Sequence, residues 1–160
     1  MAIETLADAL QREHLEIDAG IEAFTTGLAT GERRIEPLTR AIAALRRHIY
    51  LEEEFLFPPL REAGFAAPIL TLVGEHVRMW DLLGLLELEL ADGTDDAGLR
   101  KTSRALMAAL HHHNPREERT LYPSAEQVLT AEAGDKLRSF LAAGVLPDGW
   151  VSGASARRAR

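Results

Sequence analysis

The stretches HIYLEEEFLFP (residues 48–58) and HNPREERTLYP (residues 113–123) follow one plan at a constant offset of 65 residues. Each sets a His four places before a Glu, adds a second Glu beside it, and closes on Leu, an aromatic residue and Pro. Residues four apart on a helix stand on one face, about 5–6 Å from each other. His48 with Glu52, and His113 with Glu117, are therefore polar pairs on single helical faces. The apolar residues around them show that those faces point inward.

Ile3, Leu6, Leu10, His14, Ile17, Ile21, Phe24 and Leu28 recur by threes and fours, the stripe of an amphipathic helix that Thr30-Gly31 ends. A second stripe runs through Leu38, Ile42, Leu45, His48, Glu52 and Phe55, and is expected to stop near Pro58-Pro59, where the helix donor is missing. A third begins after Pro68 with Ile69, Val73, His76, Trp80, Leu83 and Leu86, and ends in the loop at residues 91–96. The fourth carries Leu99, Leu106, Leu110, His113, Glu117, Leu121 and Val128, and ends near Gly134. A short helix over about residues 135–143 follows. No stretch alternates as a strand would. The reading is an all-α chain: a four-helix bundle with a short C-terminal helix over residues 1–146, then a flexible tail over residues 147–160, rich in Gly, Ser, Ala and Arg.

At 160 residues the chain makes one domain with a sizeable core. Its net charge of −7 argues against nucleic acid and anionic membranes, which attract basic surfaces. With no cysteine, disulfides, thiolate zinc sites and thiol catalysis are excluded. Glu4 and Asp8 stand where a secretory signal would be basic and then apolar, and the apolar runs are too short to span a bilayer. The expected compartment is the cytoplasm.

His14, His48, His76 and His113 each interrupt an apolar stripe, one per bundle helix. Glu52 and Glu117 do the same one turn later on helices two and four. One inward His is most often a hydrogen-bonded core residue, and one His-x-x-x-Glu pair most often a surface contact. The full set is different, because all four helices contribute and two share a frame. A buried carboxylate without a partner costs several kcal/mol or neutralises itself. A dinuclear cation supplies the missing counter-charge: each ion takes two His, and the two carboxylates bridge. Imidazole with carboxylate suits iron, manganese or zinc. Glu53, Glu54, Glu118 and Arg119 read as a solvated face or as partners of the ligands; His111 and His112 as solvent-facing, as such partners, or as a substitute ligand. Asp18, one turn after His14, is either an acceptor for that ring or solvated.

On HIYLEEEFLFPPL, HNPREERTLYP, the isolated His14 and the Glu75-His76 pair, the chain resembles hemerythrin-like proteins, the HHE cation-binding domains, over about residues 6–129. The resemblance implies an antiparallel up-down bundle around two iron ions with a bridging oxo or hydroxo group. Its ligands would be His14, His48, Glu52, His76, His113 and Glu117. Oxygen carriers of the family have a fifth His one turn after the third-helix ligand; here that residue is Trp80. The set is similar to the four-His, two-Glu variant, also found in iron–sulfur cluster repair proteins, whose cysteine-bearing N-terminal segment this chain lacks. Pro115 is expected to kink helix four between His113 and Glu117, which could bring His112 into the place of His113.

The resemblance implies a non-haem di-iron protein whose partner is a small diatomic or peroxide ligand: O2, NO or peroxide. Aliphatic walls (Ile17, Ile21, Val73, Leu110) and Trp80 would exclude water. Turnover of an oxidase, peroxidase or NO-related kind is one reading, and an iron- or oxygen-responsive sensing module is the alternative. A structural bundle with zinc or nothing in the site is the third. No sequence feature identifies a protein partner.

Overall fold

The computed structural model describes residues 2–153. Four long helices, α1 (Leu6–Ala29), α2 (Ile35–Leu51), α4 (Ala66–Ala91) and α5 (Asp96–Thr120), run alternately up and down. Short links at residues 30–34 and 92–95 force successive helices to be antiparallel neighbours. Between α2 and α4 the chain remains helical through α3 (Phe57–Leu60), which is flanked by two π-helical turns, Glu52–Leu56 and Arg61–Phe65. Two shorter helices, α6 (Tyr122–Val128) and α7 (Ala131–Ala143), follow α5. Among the described residues there is no strand, and no helix is long and apolar enough to cross a membrane.

Local chemistry sets the boundaries. Side-chain oxygens of Thr5, Asp95 and Thr130 accept from the amides of Asp8, Gly98 and Ala133, capping α1, α5 and α7. Gly31, with φ of 82°, supplies the left-handed residue that ends α1. The helix that was expected to stop at Pro58-Pro59 continues instead. In the π turn before them the amide of Phe57 bonds the carbonyl of Glu52, five residues back. That widened register accommodates two prolines without i→i−4 donors. Helix four, expected to end near Gly134, breaks at Leu121 just before Pro123. It does not lose register at Pro115: α5 passes through it as one helix.

The apolar core forms two blocks. One contains Ile17, Phe24, Leu45, Met79, Leu83, Leu106 and Leu110; the other Leu10, Leu51, Leu56, Phe57, Val73, Leu121 and Tyr122. His14 falls between Leu10 and Ile17, His48 between Leu45 and Leu51, His76 between Val73 and Met79, and His113 just past Leu110. A polar belt thus crosses the bundle where the blocks meet. Helix α1 lies close against α2 at Gly20, where an added Cβ would stand 2.8 Å from the Ala41 Cβ and 2.9 Å from the Pro37 carbonyl.

The tail is a correction. Residues 147–153, expected to fray, return along the bundle. The Trp150 ring meets Tyr50 and Trp80, and its indole N–H donates to Glu54 at 3.0 Å. Ser152 and Gly153 are buried. A bulky aromatic with a polar edge supplies the burial that the flanking small residues lack. The rest of the expected tail, residues 154–160, lies outside the described residues.

Gly20→Val is expected to lower folding stability by about 1–3 kcal/mol through overpacking against α2. A urea midpoint equal to that of the parent chain would contradict this close approach.

Candidate metal centre

The structure brings the six expected residues together. His14, His48, Glu52, His76, His113 and Glu117 converge on the belt, each no more than 3% exposed. Their donor atoms form two overlapping groups: His14, His48, Glu52 and Glu117, and Glu52, His76, His113 and Glu117. Within each group the atoms lie within 4.8 Å of one another. Both carboxylates belong to both groups. Glu52 Oε1 meets the His48 ring, and Oε2 lies 3.7 Å from His76 Nε2. Glu117 Oε1 lies 2.6 Å from His113 Nε2 and 3.6 Å from His14 Nε2.

Every ring is held from behind by a carboxylate on a different helix. His48 Nδ1 lies 2.8 Å from Glu13, and His113 Nδ1 lies 2.7 Å from Glu75. His76 Nδ1 lies 3.1 Å from Glu53, and His14 Nδ1 lies 2.9 Å from Glu118. The arrangement repeats with the sequence: residues 13 and 75 each precede a site His, and residues 53 and 118 each follow a site Glu. Glu13 is held in turn by Arg47 at 3.1 Å, and Glu75 by Arg116. Glu53 accepts from Ser152 Oγ and the Gly153 amide, both at 2.7 Å.

Neighbouring residues divide clearly. His111 and His112 face outward, and His112 sits beside Glu75 and Arg116. His113, whose Nε2 faces Glu117, is the inward member of the run. Asp18 lies 4.0 Å from His111, and Glu118 takes the His14 ring. Trp80 stands edge-on to Trp150 beneath the Arg46 guanidinium, in a partly exposed cluster. Its expected role as a wall falls to Phe57, stacked on His76 with centroids 5.4 Å apart, and to Tyr122.

A family model for the hemerythrin HHE cation-binding domain matches residues 4–125. The chain belongs to the hemerythrin family. No curated protein and no solved structure matched it.

The buried polar atoms of this hemerythrin-family chain fit a cation. In the neutral form that binds an ion, with Nδ1–H aimed at a carboxylate, each imidazole presents a lone pair from Nε2. Two such nitrogens face each other 3.0 Å apart at His14 and His48, and 3.1 Å apart at His76 and His113. Oε2 of Glu52 and both oxygens of Glu117 are buried without a hydrogen-bond partner. Lone pairs converging in a dry core repel unless something positive lies between them. Two nitrogens at right angles around one ion, each bonded at about 2.1 Å, stand about 3 Å apart.

Without an ion, protonation is divided unevenly. Burial pushes His14 down to about 3, helped by the charge of His48. Burial works the same way on His48, but Glu52 and Glu13 overcome it and lift that ring to about 10. Burial, then the charge of Glu52, raises the Glu117 carboxyl well above its ordinary value. Burial would raise Glu52 too, yet the His48 charge brings it well below. One imidazolium–carboxylate pair is all that the metal-free belt supports.

These shifts set the pH dependence of the metal-free chain. Below 6.5 the unfolded chain takes up a proton at residue 14 that the folded chain refuses, so stability falls towards acid. The contribution of His48 is full below 6.5 and is lost as pH rises towards 10. The urea midpoint of chelator-treated protein is expected to peak near pH 6.5; a steady rise towards alkali would contradict it. Separately, Ala at position 13, 53, 75 or 118 is expected to weaken metal affinity roughly 10–100-fold in a chelator competition, while His112→Ala changes it little.

Proposed function

We propose that this chain is a non-haem di-iron protein that binds or reacts with a small oxidant, O2, NO or peroxide. The observation that carries the reading is the facing pair of Nε2 atoms, duplicated in the belt, between which lie three carboxylate oxygens of Glu52 and Glu117 that have no hydrogen-bond partner. His14 and His48 would hold one ion, His76 and His113 the other, with Glu52 and Glu117 shared. Manganese and zinc suit the same donors; zinc has no redox chemistry, and iron brings ready reaction of its reduced form with O2. When bound, the iron pair supplies exchangeable electrons and an acidic vertex for a small ligand.

The chain's own residues do the rest. Glu13, Glu53, Glu75 and Glu118 fix each ring with Nε2 inward and raise its basicity as a donor. The two blocks of the core keep bulk water from the belt, which favours small, weakly hydrated reactants over charged metabolites. A surface cleft of about 220 Å³, lined by Glu75, Arg78, Ala105, Ala108, Ala109 and His112, reaches the residue that holds His113. It brings solvent-side space up to Glu75, one residue behind that half of the belt.

Metal content and spectra of untagged protein test the reading. About two irons per chain are expected, with an oxo-to-iron absorption that grows when anaerobically reduced protein meets O2. Zinc or no metal, with folding unchanged, would overturn it. Glu117→Ala is expected to lose metal and to melt at a lower temperature, because an ion bound only by the folded state stabilises it by linkage. Retention of both irons would overturn the shared-carboxylate assignment.

A further inference from the structure

The two halves of the centre are not alike, and the difference lies at the ends of the repeated stretches. Where residues 56–58 read Leu-Phe-Pro, residues 121–123 read Leu-Tyr-Pro. Phe57 fills its place as an apolar ring, stacked on His76. Tyr122 is as deeply buried, but it brings a hydroxyl into the other half. Its Oη lies 3.0 Å from His14 Nε2, 3.2 Å from His48 Nε2 and 2.8 Å from Glu52 Oε1.

A hydroxyl has one proton to give, and with both rings in the neutral form that binds an ion three acceptors surround this one. If it goes to Glu52, the oxygen faces two imidazole lone pairs once His48 has given up its extra proton to admit an ion, because the Nδ1–H groups of those rings are committed to Glu118 and Glu13. A tyrosine kept for packing alone has no use for that arrangement; Phe57 shows that a phenyl ring suffices at the equivalent place. The three distances match the 3.0 Å edge between His14 and His48. The oxygen therefore occupies a vertex of the same donor set.

We propose that Tyr122 is a ligand of the ion held by His14 and His48, which makes the centre unequal: one ion is closed by a phenolate, and the other, beside Phe57, is left open. This rests on the metal-binding reading above. On loading, the O–H bond is replaced by an O–metal bond and the proton leaves to solvent, as protons generally do when metals bind. The open half is the one that the cleft at Glu75 approaches, so the small oxidant is directed to the ion of His76 and His113.

The test uses the full chain, stripped of metal, loaded anaerobically with ferrous iron and then oxidised in air. The chain has two tyrosines, so the assignment is unambiguous. Expected are a phenolate-to-iron(III) band in the visible and resonance-enhanced phenolate ring vibrations in the parent and in Tyr50→Phe. Both signals vanish in Tyr122→Phe while its iron content stays that of the parent. Iron-loaded parent protein without the ring vibrations, or Tyr122→Phe that keeps them, would overturn the ligand role alone. Parent protein that takes up no iron would overturn the functional reading, and this proposal with it.

Discussion

Four imidazole rings and two carboxylates meet in the middle of an otherwise apolar bundle, and their Nε2 and carboxylate oxygen atoms point at one another. That convergence is the constraint on which the rest of the structure depends. A core of this size buries polar groups only when each finds a partner, and these six cannot satisfy themselves. Their pKa values separate, with one imidazolium–carboxylate pair charged and the remainder held near neutrality. The belt is stable as a receptor for positive charge. The two apolar blocks on either side of it supply the hydrophobic stabilisation that the belt cannot.

The carboxylates behind the rings extend the constraint outward. Glu53 ties the start of the π turn to α4, and Glu118 ties α5 to α1, so the contacts that orient the ligands also pair the helices. Arg47 joins this network to α7: its guanidinium meets Glu13 and also the terminal carbonyls of Phe140, Leu141 and Gly144. Cationic side chains at a helix C-terminus satisfy carbonyls that the helix leaves free. Helix geometry, ring orientation and charge are thus one network.

Much of this was legible in the residues. The stripes gave the helices, and the six intruders were visible because a polar side chain on a strict apolar period stands out. Glu13 and Glu75 were harder, since each holds a ring on another helix and no periodicity links residue 13 to residue 48. The adjacent pairs Glu13-His14 and Glu75-His76 were the available signal. Tyr122 was grouped with Phe57 as the aromatic that closes each stretch, and the hydroxyl that separates the two residues went unweighed. Pro58-Pro59 suggested a helix end, because the stop rule assumes i→i−4 bonding and the π turn escapes it. The tail misled by composition: Gly, Ser and Ala read as frayed, and only Trp150 hinted at docking.

The docked segment has a consequence in time. Glu117 belongs to both donor groups, so once it has been synthesised all six His and Glu residues of the belt exist, and Tyr122 follows five residues on. The anchors of Glu53, at Ser152 and Gly153, come 35 residues later. At typical synthesis rates that interval is roughly two to seven seconds. During it the ring of His76 is backed by a carboxylate not yet fixed, whereas His14 and His48 already have theirs in place. A growing chain therefore passes through a stage in which one half of the centre is mature and the other is still loose.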